Sequence, residues 1–327
     1  TLGSETDEES GAPVLQTEFV GRTGEFSSLA SARRRTPAEG ARVALVQGAP
    51  GVGKTRLVQE LLPLVRSGSA PAVAVKAVEA ERGLRWGTAS ELVRGLHALP
   101  GAAGISNRSA SVLARLVPSL GGFREEPREG GGGTVEAAAV TDALLDLVSA
   151  VADEAPLLLF VDDLQWVDRE SRAMLSHLAR NLDREPVLLL ITCRTGEGDP
   201  EVAKALNSLQ RLDGTRSIEL APLGPQEISE LLVLLLDGIE PEAVDDLGQR
   251  LHGITLGNPL FMVEILKLLH QKELLTPGGG GRWTLDPSCL NGTLPMPENV
   301  ETAILRRLEE LEGNAELLAI QMAREAR

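Results

Sequence analysis

One short stretch of the chain carries residue types that could bind a polyphosphate. It runs from Val43 to Arg56 and reads VALVQGAPGVGKTR, with the G-x-x-x-x-G-K-T spacing of a phosphate-binding loop. Glycines let such a loop turn its N–H groups toward phosphate oxygens, the lysine reaches the β- and γ-phosphates, and the threonine hydroxyl serves Mg²⁺. The apolar segment before the loop predicts a strand, and the segment after it predicts a helix whose positive end faces the anion. The pattern therefore predicts a site for a nucleoside triphosphate.

We expect different roles for the individual residues of this loop. Lys54 is assigned to catalysis as well as binding, and Thr55 is assigned to the metal ion. The alternative is a glycine-rich turn that matches by chance, which the strand–loop–helix context disfavours. The predicted nucleotide-binding residues of the loop are Gly48, Pro50, Gly51, Val52, Gly53, Lys54, Thr55 and Arg56.

A second stretch, PLLLFVDDLQWVD at 156–168, supplies carboxylates. Its continuous apolar run predicts a buried parallel strand. Asp162 and Asp163 would then emerge at the carboxyl end of that strand, which is where open α/β sheets bind ligands. We expect Asp162 to hold Mg²⁺ directly or through water, and Asp163 to orient or activate the attacking water. The alternative for Asp163 is a helix cap. The lysine loop and Asp162 are expected on neighbouring strands.

A third apolar run, PVLLLITCR at 186–194, predicts another buried strand. Thr192 and Arg194 would emerge at the same edge of the sheet, one strand away from Asp162. The rigid guanidinium fork of Arg194 could then read the γ-phosphate. The alternative is an arginine solvated in a loop.

The remaining patterns predict the elements that position these residues. Strands alternating with helices predict a mostly parallel α/β sheet with helices on both faces, a P-loop NTPase fold. After Pro225 the patterns predict three helices, then two short strands around a glycine turn, and an amphipathic helix over 297–311. The predicted division is an acidic linker at 1–17, a P-loop nucleotide-binding domain at 18–224, a helical lid subdomain at 225–272, and a partial winged-helix-like subdomain at 273–327.

Composition limits the possible partners. The 327 residues carry a formal charge of −15, which argues against a general nucleic-acid or anionic-membrane surface. Two cysteines far apart in sequence indicate a reducing, cytoplasmic setting. No apolar run approaches the roughly 18 residues that a bilayer span requires. The chain lacks an initial Met and stops inside an apolar-periodic helix, so we expect a fragment of a longer protein. The four histidines lie on predicted helices without paired spacing, and we expect structural or solvent-facing roles for them.

The motifs in their order support a resemblance to a known family. Together with FVGR at 19–22 and GNP at 257–259, the chain resembles the STAND class of AAA+-related P-loop ATPases. It looks most like the ATPase module of large bacterial regulators of the LuxR and SARP types. The likeness covers about 19–311, and VDDLQWVD and LGNPLFMVEIL are its most specific parts. It implies that Val20, Gly21 and Arg22 line the adenine pocket, that Pro259 packs against the base, and that Arg194 senses the γ-phosphate.

The resemblance also implies a mode of action. ADP would hold a closed monomer, ATP with Mg²⁺ would favour an open form that oligomerises, and slow hydrolysis would reset the switch. The sensor for the unknown inducer and the DNA-binding output would lie in domains outside this chain, with no role for a membrane. Two alternatives stay open: a AAA+ motor or loader, with Arg172 and Arg180 as arginine-finger candidates, and an NLR-like defence scaffold. Adenine is expected from the resemblance and from the lack of a guanine-reading N-K-x-D motif.

Overall fold

The described residues of the computed structural model are 19–40, 42–67, 70–119, 136–182, 185–196, 199–292 and 294–297. They belong to two compact units. The first unit comprises the described part of 22–221, and the second comprises 19–21 and the described part of 222–297. The acidic leader, and all but the first residue of the helix predicted over 297–311, lie outside the described residues.

The first unit contains a sheet of five parallel strands, as the alternating pattern predicts. Their order across the sheet is β2-β3-β4-β1-β5. In register, Gly48 lies opposite Arg194, and Val161 lies opposite Ile191. The strands are β1 (Arg42–Gly48), β2 (Ala72–Lys76), β3 (Leu157–Asp162), β4 (Val187–Arg194) and β5 (Arg216–Leu220).

Seven α-helices accompany this sheet within the described residues. Single 3-10 turns add short connections, of which Leu164–Trp166 directly follows the acidic pair. The sequence patterns did not predict the last helix, which starts with a proline after the capping side chain of Asp199. The helices are α1 (Thr23–Glu39), α2 (Lys54–Ser67), α3 (Gly87–His97), α4 (Asn107–Leu116), α5 (Ala137–Glu154), α6 (Arg169–Asn181) and α7 (Pro200–Gln210).

The sheet is covered on both faces, which explains its apolar strands. Every residue of β3 is buried, and so is every residue of β4 except the last. Successive side chains of a strand point to opposite faces. Val43 and Leu45 pack in one apolar cluster with α3, α5 and α6. The intervening Ala44 and Val46 are equally buried, and α1 and α2 contact β1. A strand buried on both faces needs a continuous apolar run, not alternation.

The second unit has its own apolar core. Leu232, Leu251 and Ile265 from three helices share this core with Leu275 and Trp283 from a two-stranded antiparallel hairpin. The three helices and the hairpin expected after Pro225 are therefore present. That the hairpin begins a winged-helix-like subdomain stays a prediction. The elements are α8 (Pro225–Leu235), α9 (Pro241–Thr255), α10 (Pro259–Gln271), β6 (Leu275–Pro277), β7 (Trp283–Leu285) and α11 (Ser288–Asn291).

The two cysteines are buried, and the four histidines lie on helices. Cys193 and Cys289 are both buried free thiols, one in each unit. His97, His177, His252 and His270 are all helical. Nδ1 of His270 lies 2.8 Å from the carbonyl oxygen of Leu275, and its ring meets Trp283 edge-on at 5.0 Å. None of the helices in the described ranges combines the length and apolar character of a membrane span.

Asp168, the last residue of VDDLQWVD, joins two helices of the first unit. The residue is 3% exposed. It caps α6 by accepting from the N–H of Ser171 at 3.0 Å. It also accepts from the N–H groups of Trp86 and Thr88, at 2.9 and 3.3 Å, where α3 begins. One buried side chain thus satisfies donors at the amino-terminal ends of both helices.

We expect Asp168→Ala to lower the free energy of unfolding by about 2–4 kcal/mol, since the variant leaves the donors of two helix ends without their acceptor. Urea denaturation followed by circular dichroism measures this loss. The matched control is Ser106→Ala, which removes a single cap from α4 and should cost only about 1 kcal/mol. Equal losses of unfolding free energy in the two variants would show that Asp168 contributes no more than a single helix cap.

Candidate functional site

The loop between β1 and α2 has the backbone of a phosphate cradle. Gly48, Gly51 and Gly53 have φ values of 157°, 77° and 100°. At Gly48 a Cβ atom would lie 2.8 Å from the carbonyl oxygen of Leu220 and 2.9 Å from a methyl group of Val52, so only glycine fits. A Cβ at Gly53 would meet nothing within 4 Å. The glycines therefore allow a tight turn beside open space.

Lys54 begins α2 and is buried beneath this loop, with 7% of the residue exposed. Its Nζ donates to the carbonyl oxygens of Gly48 and Ala49, both at 3.0 Å. Burial lowers the pKa of the Lys54 ammonium group, although the carboxylates of Asp163 and Asp162 act in the opposite direction. A buried cation within a glycine loop is a site that an anionic ligand would stabilise.

Asp162 at the end of β3 meets the hydroxyl of Thr55 from the loop. Oγ1 of Thr55 lies 3.1 and 2.9 Å from the two carboxylate oxygens of Asp162. Oγ1 of Thr192 donates to the same carboxylate at 2.5 Å. Asp162 is 2% exposed, and burial raises its pKa although these two hydroxyl groups oppose the shift. The loop and Asp162 therefore lie at the same edge of the sheet and are close enough to share one ligand.

The expectation that β1 and β3 are neighbours was wrong, because β4 lies between them. Thr192 on β4 fills the interval, since its hydroxyl donates to Asp162 and accepts from the N–H of Asp163 at 2.8 Å. The order of strands depends on tertiary packing. Apolar runs of similar composition do not encode it.

Asp163 has an unusual backbone for a residue other than glycine. Its φ and ψ are 63° and 61°, a left-handed conformation that aspartate tolerates better than most residues. Its side chain is 17% exposed and accepts from Nε2 of Gln165 at 2.7 Å. The side chain makes no capping bond to the turn that follows, and α6 is capped by Asp168 instead. The carboxylate is therefore directed away from a capping role.

Arg194 ends β4, opposite Gly48 in the register of the sheet. Its Nε lies 3.9 Å from Oδ1 of Asp163, and its guanidinium carbon lies 5.3 Å from the ring centre of Trp166. The side chain is 30% exposed. The alternative of a solvated loop arginine does not fit these contacts. The guanidinium is instead held at the edge where Lys54 and Asp162 lie.

The remaining residues assigned to nucleotide binding in the first unit are Pro50, Val52 and Arg56 of the loop and Arg22, which the resemblance assigns to the adenine pocket. Val52 is 2% exposed and Pro50 is exposed. Arg56 forms an ion pair with Glu60 at 2.6 Å. Arg22 is 7% exposed and donates to Glu25 at 3.2 Å and to the carbonyl oxygen of Ala221. Their expected roles in nucleotide binding stay predictions.

Three of the expected nucleotide-binding residues belong to the second unit. Val20 packs against the core of that unit, and Gly21 has a φ of 68°. Pro259 is the first residue of α10, after the capping side chain of Asn258. Before it, Gly257 has a φ of 74° and approaches the carbonyl oxygen of Leu223 so closely that a Cβ would clash. The contact of Pro259 with a base stays a prediction.

Three contributors to the edge that carries Asp163 were not predicted from the sequence. Gln165 bonds to Asp163 and to the N–H of Arg194, Trp166 lies beneath Arg194, and Asp168 holds the turn to α3 and α6. All three occur in VDDLQWVD, directly after the acids. Their position directly after the two acids was the only available signal, since residue spacing does not show which side chains of a turn point toward the site.

The two arginine-finger candidates differ in position. Arg172 is 8% exposed and its Nη1 faces Asp199 at 3.9 Å. Asp199 also pairs with Arg82. A buried side chain is poorly placed to reach a second molecule, so Arg172 does not suit that role. Arg180 lies near the end of α6, and its Nε donates to the carbonyl oxygen of Ser176 at 2.8 Å.

The residues at this edge fit a magnesium-bound polyphosphate. The loop combines backbone N–H groups and a buried ammonium group, which suit phosphate oxygens. The hydroxyl of Thr55 and the carboxylate of Asp162 are oxygen ligands of the kind that Mg²⁺ prefers. When bound, the metal would neutralise phosphate charge that develops during transfer. Asp163 and Arg194 lie at the same edge, where a carboxylate can orient water and a guanidinium can recognise a terminal phosphate.

Comparison with known proteins agrees with this fold. A curated relative, uncharacterized protein R02095 of Rhizobium meliloti (strain 1021), is 28% identical in an alignment of 247 residues that covers 70% of this chain and 23% of that protein. The structure of the Aeropyrum pernix ORC1 protein in complex with DNA aligns with a TM-score of 0.50 and 14% identity over 88% of this chain and 66% of that one. That likeness shows the fold alone.

A STAND protein with a tetratricopeptide repeat sensor, PH0952 from Pyrococcus horikoshii, aligns with a TM-score of 0.48 and 18% identity, over 78% of this chain and 30% of that one. The chain thus spans less than a quarter of the Rhizobium protein and under two thirds of either structure. The profile of the AAA ATPase domain matches residues 18–191, which are more than half of the chain. The chain therefore belongs to the family of AAA ATPase domains, which are AAA+-related P-loop ATPases.

Proposed function

We propose that this chain is an ATP-binding switch of the STAND class that hydrolyses ATP slowly with Mg²⁺. The observation that carries the proposal is the contact of Thr55 in the loop with the buried carboxylate of Asp162. We assign this pair to the metal ion, and we assign Lys54, which precedes Thr55 in the chain, to the phosphates. The same edge of the sheet carries the partly buried side chains of Asp163 and Arg194, to which we assign the orientation of water and the recognition of the γ-phosphate.

The residues divide the work of the proposed reaction. The loop backbone and Lys54 bind and orient the polyphosphate, and Thr55 and Asp162 hold the metal. Asp163 accepts a hydrogen bond from the attacking water and orients it toward the terminal phosphate. Arg194 donates to the terminal phosphate oxygens, so the site gives a different set of contacts to ATP and to ADP. Positioning and charge stabilisation account for most of the catalysis in such reactions.

The slow rate distinguishes a switch from a working motor or loader. We expect the purified protein to retain ADP and to hydrolyse ATP far more slowly than a typical enzyme, which turns over on the order of 10 s⁻¹. Nucleotide released by denaturation and identified by chromatography tests the first expectation, and a phosphate-release assay tests the second. Rapid steady turnover by nucleotide-free protein would favour the motor.

We place the module within a longer bacterial transcription regulator, because the motifs resemble that class. Its inducer sensor and its DNA-binding output would lie in other domains of the same protein. ATP would then promote self-association, and ADP would hold the monomer. Light scattering of the protein loaded with ADP or with a non-hydrolysable ATP analogue tests this step. Equal masses in the two states would contradict it.

We expect Arg194→Ala to reduce the preference for ATP over ADP by about 10- to 100-fold, because the variant loses a charge-assisted contact that only ATP can make. Calorimetric titration with each nucleotide gives the two affinities and their ratio. The matched control is Arg211→Ala, which removes an exposed arginine at the end of α7 and should leave the ratio unchanged. An equal loss for both nucleotides would remove Arg194 from the proposed role.

A further inference from the structure

Gln165 lies in the turn after Asp163, and both ends of its side-chain amide are engaged. Its Oε1 accepts from the backbone N–H of Arg194 at 3.1 Å, and its Nε2 donates to Oδ1 of Asp163 at 2.7 Å. A backbone N–H can only donate, so the oxygen must face Arg194 and the nitrogen must face the carboxylate. The residue is 2% exposed. A buried amide that is paired at both ends is held in one orientation.

The N–H of Arg194 needs this acceptor because β3 is too short to supply one. The N–H of Thr195 donates to Gly48 on β1 at 3.2 Å. Since successive N–H groups of a strand alternate in direction, the N–H of Arg194 points to the other side, toward β3. The pairing of β3 with β4 ends at Val161 and Ile191, so no residue of β3 lies opposite Arg194. The oxygen of Gln165 therefore continues the pairing beyond the end of β3.

Asp163 needs the donor for a different reason. Its carboxylate follows that of Asp162 directly in the chain, and its backbone is left-handed. Like charges close together repel each other, so the Asp163 side chain needs a partner that fixes its direction. The Nε2 group of Gln165 fixes one carboxylate oxygen and leaves the other available.

We propose that Gln165 is a positioning residue that ties the water-orienting carboxylate of Asp163 to the end of the strand that carries Arg194. The inference rests on the proposed function, because it assigns Gln165 to the geometry of hydrolysis. One side chain then sets the separation between the group that orients water and the group that senses the terminal phosphate.

Two substitutions separate the ends of the amide. Gln165→Met has a similar volume and loses both bonds. Gln165→Glu keeps the acceptor for the N–H of Arg194 but replaces the donor toward Asp163 with a carboxyl group. The two neighbouring carboxyl groups then either repel each other or share a proton. In the first case Asp163 loses its fixed direction, and in the second its carboxylate is no longer free to accept from water.

We expect Gln165→Met to lower kcat by about 10- to 100-fold and to reduce the preference for ATP over ADP, since both positioned groups are released. We expect Gln165→Glu to lower kcat to a similar extent while retaining that preference. The affinity for ADP should change by less than about threefold in both variants. A phosphate-release assay gives kcat, and calorimetry gives the two affinities.

The controls are Gln59→Met and Gln59→Glu on α2, where the glutamine is exposed; neither should change any of the three readouts. Thermal unfolding verifies that each variant is folded.

The inference fails if both Gln165 variants lose kcat and discrimination in parallel with stability, or if neither changes kcat. If Gln165→Glu is destabilised, adding Asp163→Asn reverses donor and acceptor between the two side chains and should recover the lost stability. Absence of any recovery would also overturn the inference.

The two proposals fail in different ways. If the unmodified protein neither binds nor hydrolyses ATP, the proposed function is wrong. If it does both and the Gln165 variants behave like the Gln59 variants, only the positioning role is wrong.

Discussion

Replacing Lys54 with alanine is expected to weaken ATP binding by about 100-fold or more, because the loop loses the ammonium charge that its phosphate ligand would neutralise. The apo protein should keep its stability. The ammonium group is buried, its pKa is lowered by that burial, and its partners are two carbonyl oxygens of the loop. Its removal should cost little, since these two carbonyl oxygens also accept from the backbone N–H groups of Thr195 and Val52. Calorimetric titration with MgATP measures the affinity, and thermal unfolding measures the stability.

Lys204→Ala provides the matched control for this experiment. Lys204 lies on α7 and is not part of the loop, so its removal changes the net charge equally and leaves the loop intact. Its affinity for ATP should match that of the unmodified protein. Unchanged affinity in Lys54→Ala would refute the assignment of the loop as the phosphate site.

Asp163→Asn is expected to slow hydrolysis by about 100- to 10,000-fold while ATP affinity changes little, because the variant removes the carboxylate to which we assign the orientation of water. Asparagine tolerates the left-handed conformation, and its side-chain oxygen can still accept from Gln165. The protein should therefore fold normally and remain bound to ATP. Phosphate release measures the rate, calorimetry measures the affinity, and light scattering reports whether ATP-bound oligomers accumulate.

Two other substitutions make the result specific. Asp153→Asn changes an exposed carboxylate on α5 and should leave the rate unaltered. Asp162→Asn should instead weaken the dependence of ATP binding on Mg²⁺, since that carboxylate is assigned to the metal. Hydrolysis at the normal rate in Asp163→Asn would mean that another group orients the water.

The local geometry of the candidate site could be predicted because its residues are contiguous in the chain. Gly48, Gly53, Lys54 and Thr55 are joined by one turn, so their spacing fixes their geometry. An apolar run that ends in Asp162 predicts a buried strand with an acid at its carboxyl end. The same logic applies to Arg194. These patterns also predicted the parallel α/β sheet, since strand and helix periodicities alternate along the chain.

The hydrogen-bond partners of those residues could not be predicted. Some of the partners are distant in sequence, and others depend on the direction in which a side chain points. No local pattern shows that the hydroxyl of Thr192 contacts Asp162, or that Gln165 reaches the N–H of Arg194. Asp168 looked like part of an acidic motif, and the structure shows that it also caps α3, some 80 residues earlier. α7 was missed because the start signal of Asp199 and Pro200 was not combined with the apolar positions of the segment that follows it.

The sequence alone determined which groups we assign to the proposed chemistry: a lysine-bearing glycine loop, an aspartate pair and a strand-end arginine. Their local backbone follows from neighbouring residues, which is information that a linear pattern contains. Only the tertiary structure decided that β4 separates β1 from β3, that Thr192 bridges the interval, and that Gln165 joins Asp163 to Arg194. Strand order and side-chain pairing depend on how whole faces pack, and similar apolar runs are nearly interchangeable until they are packed.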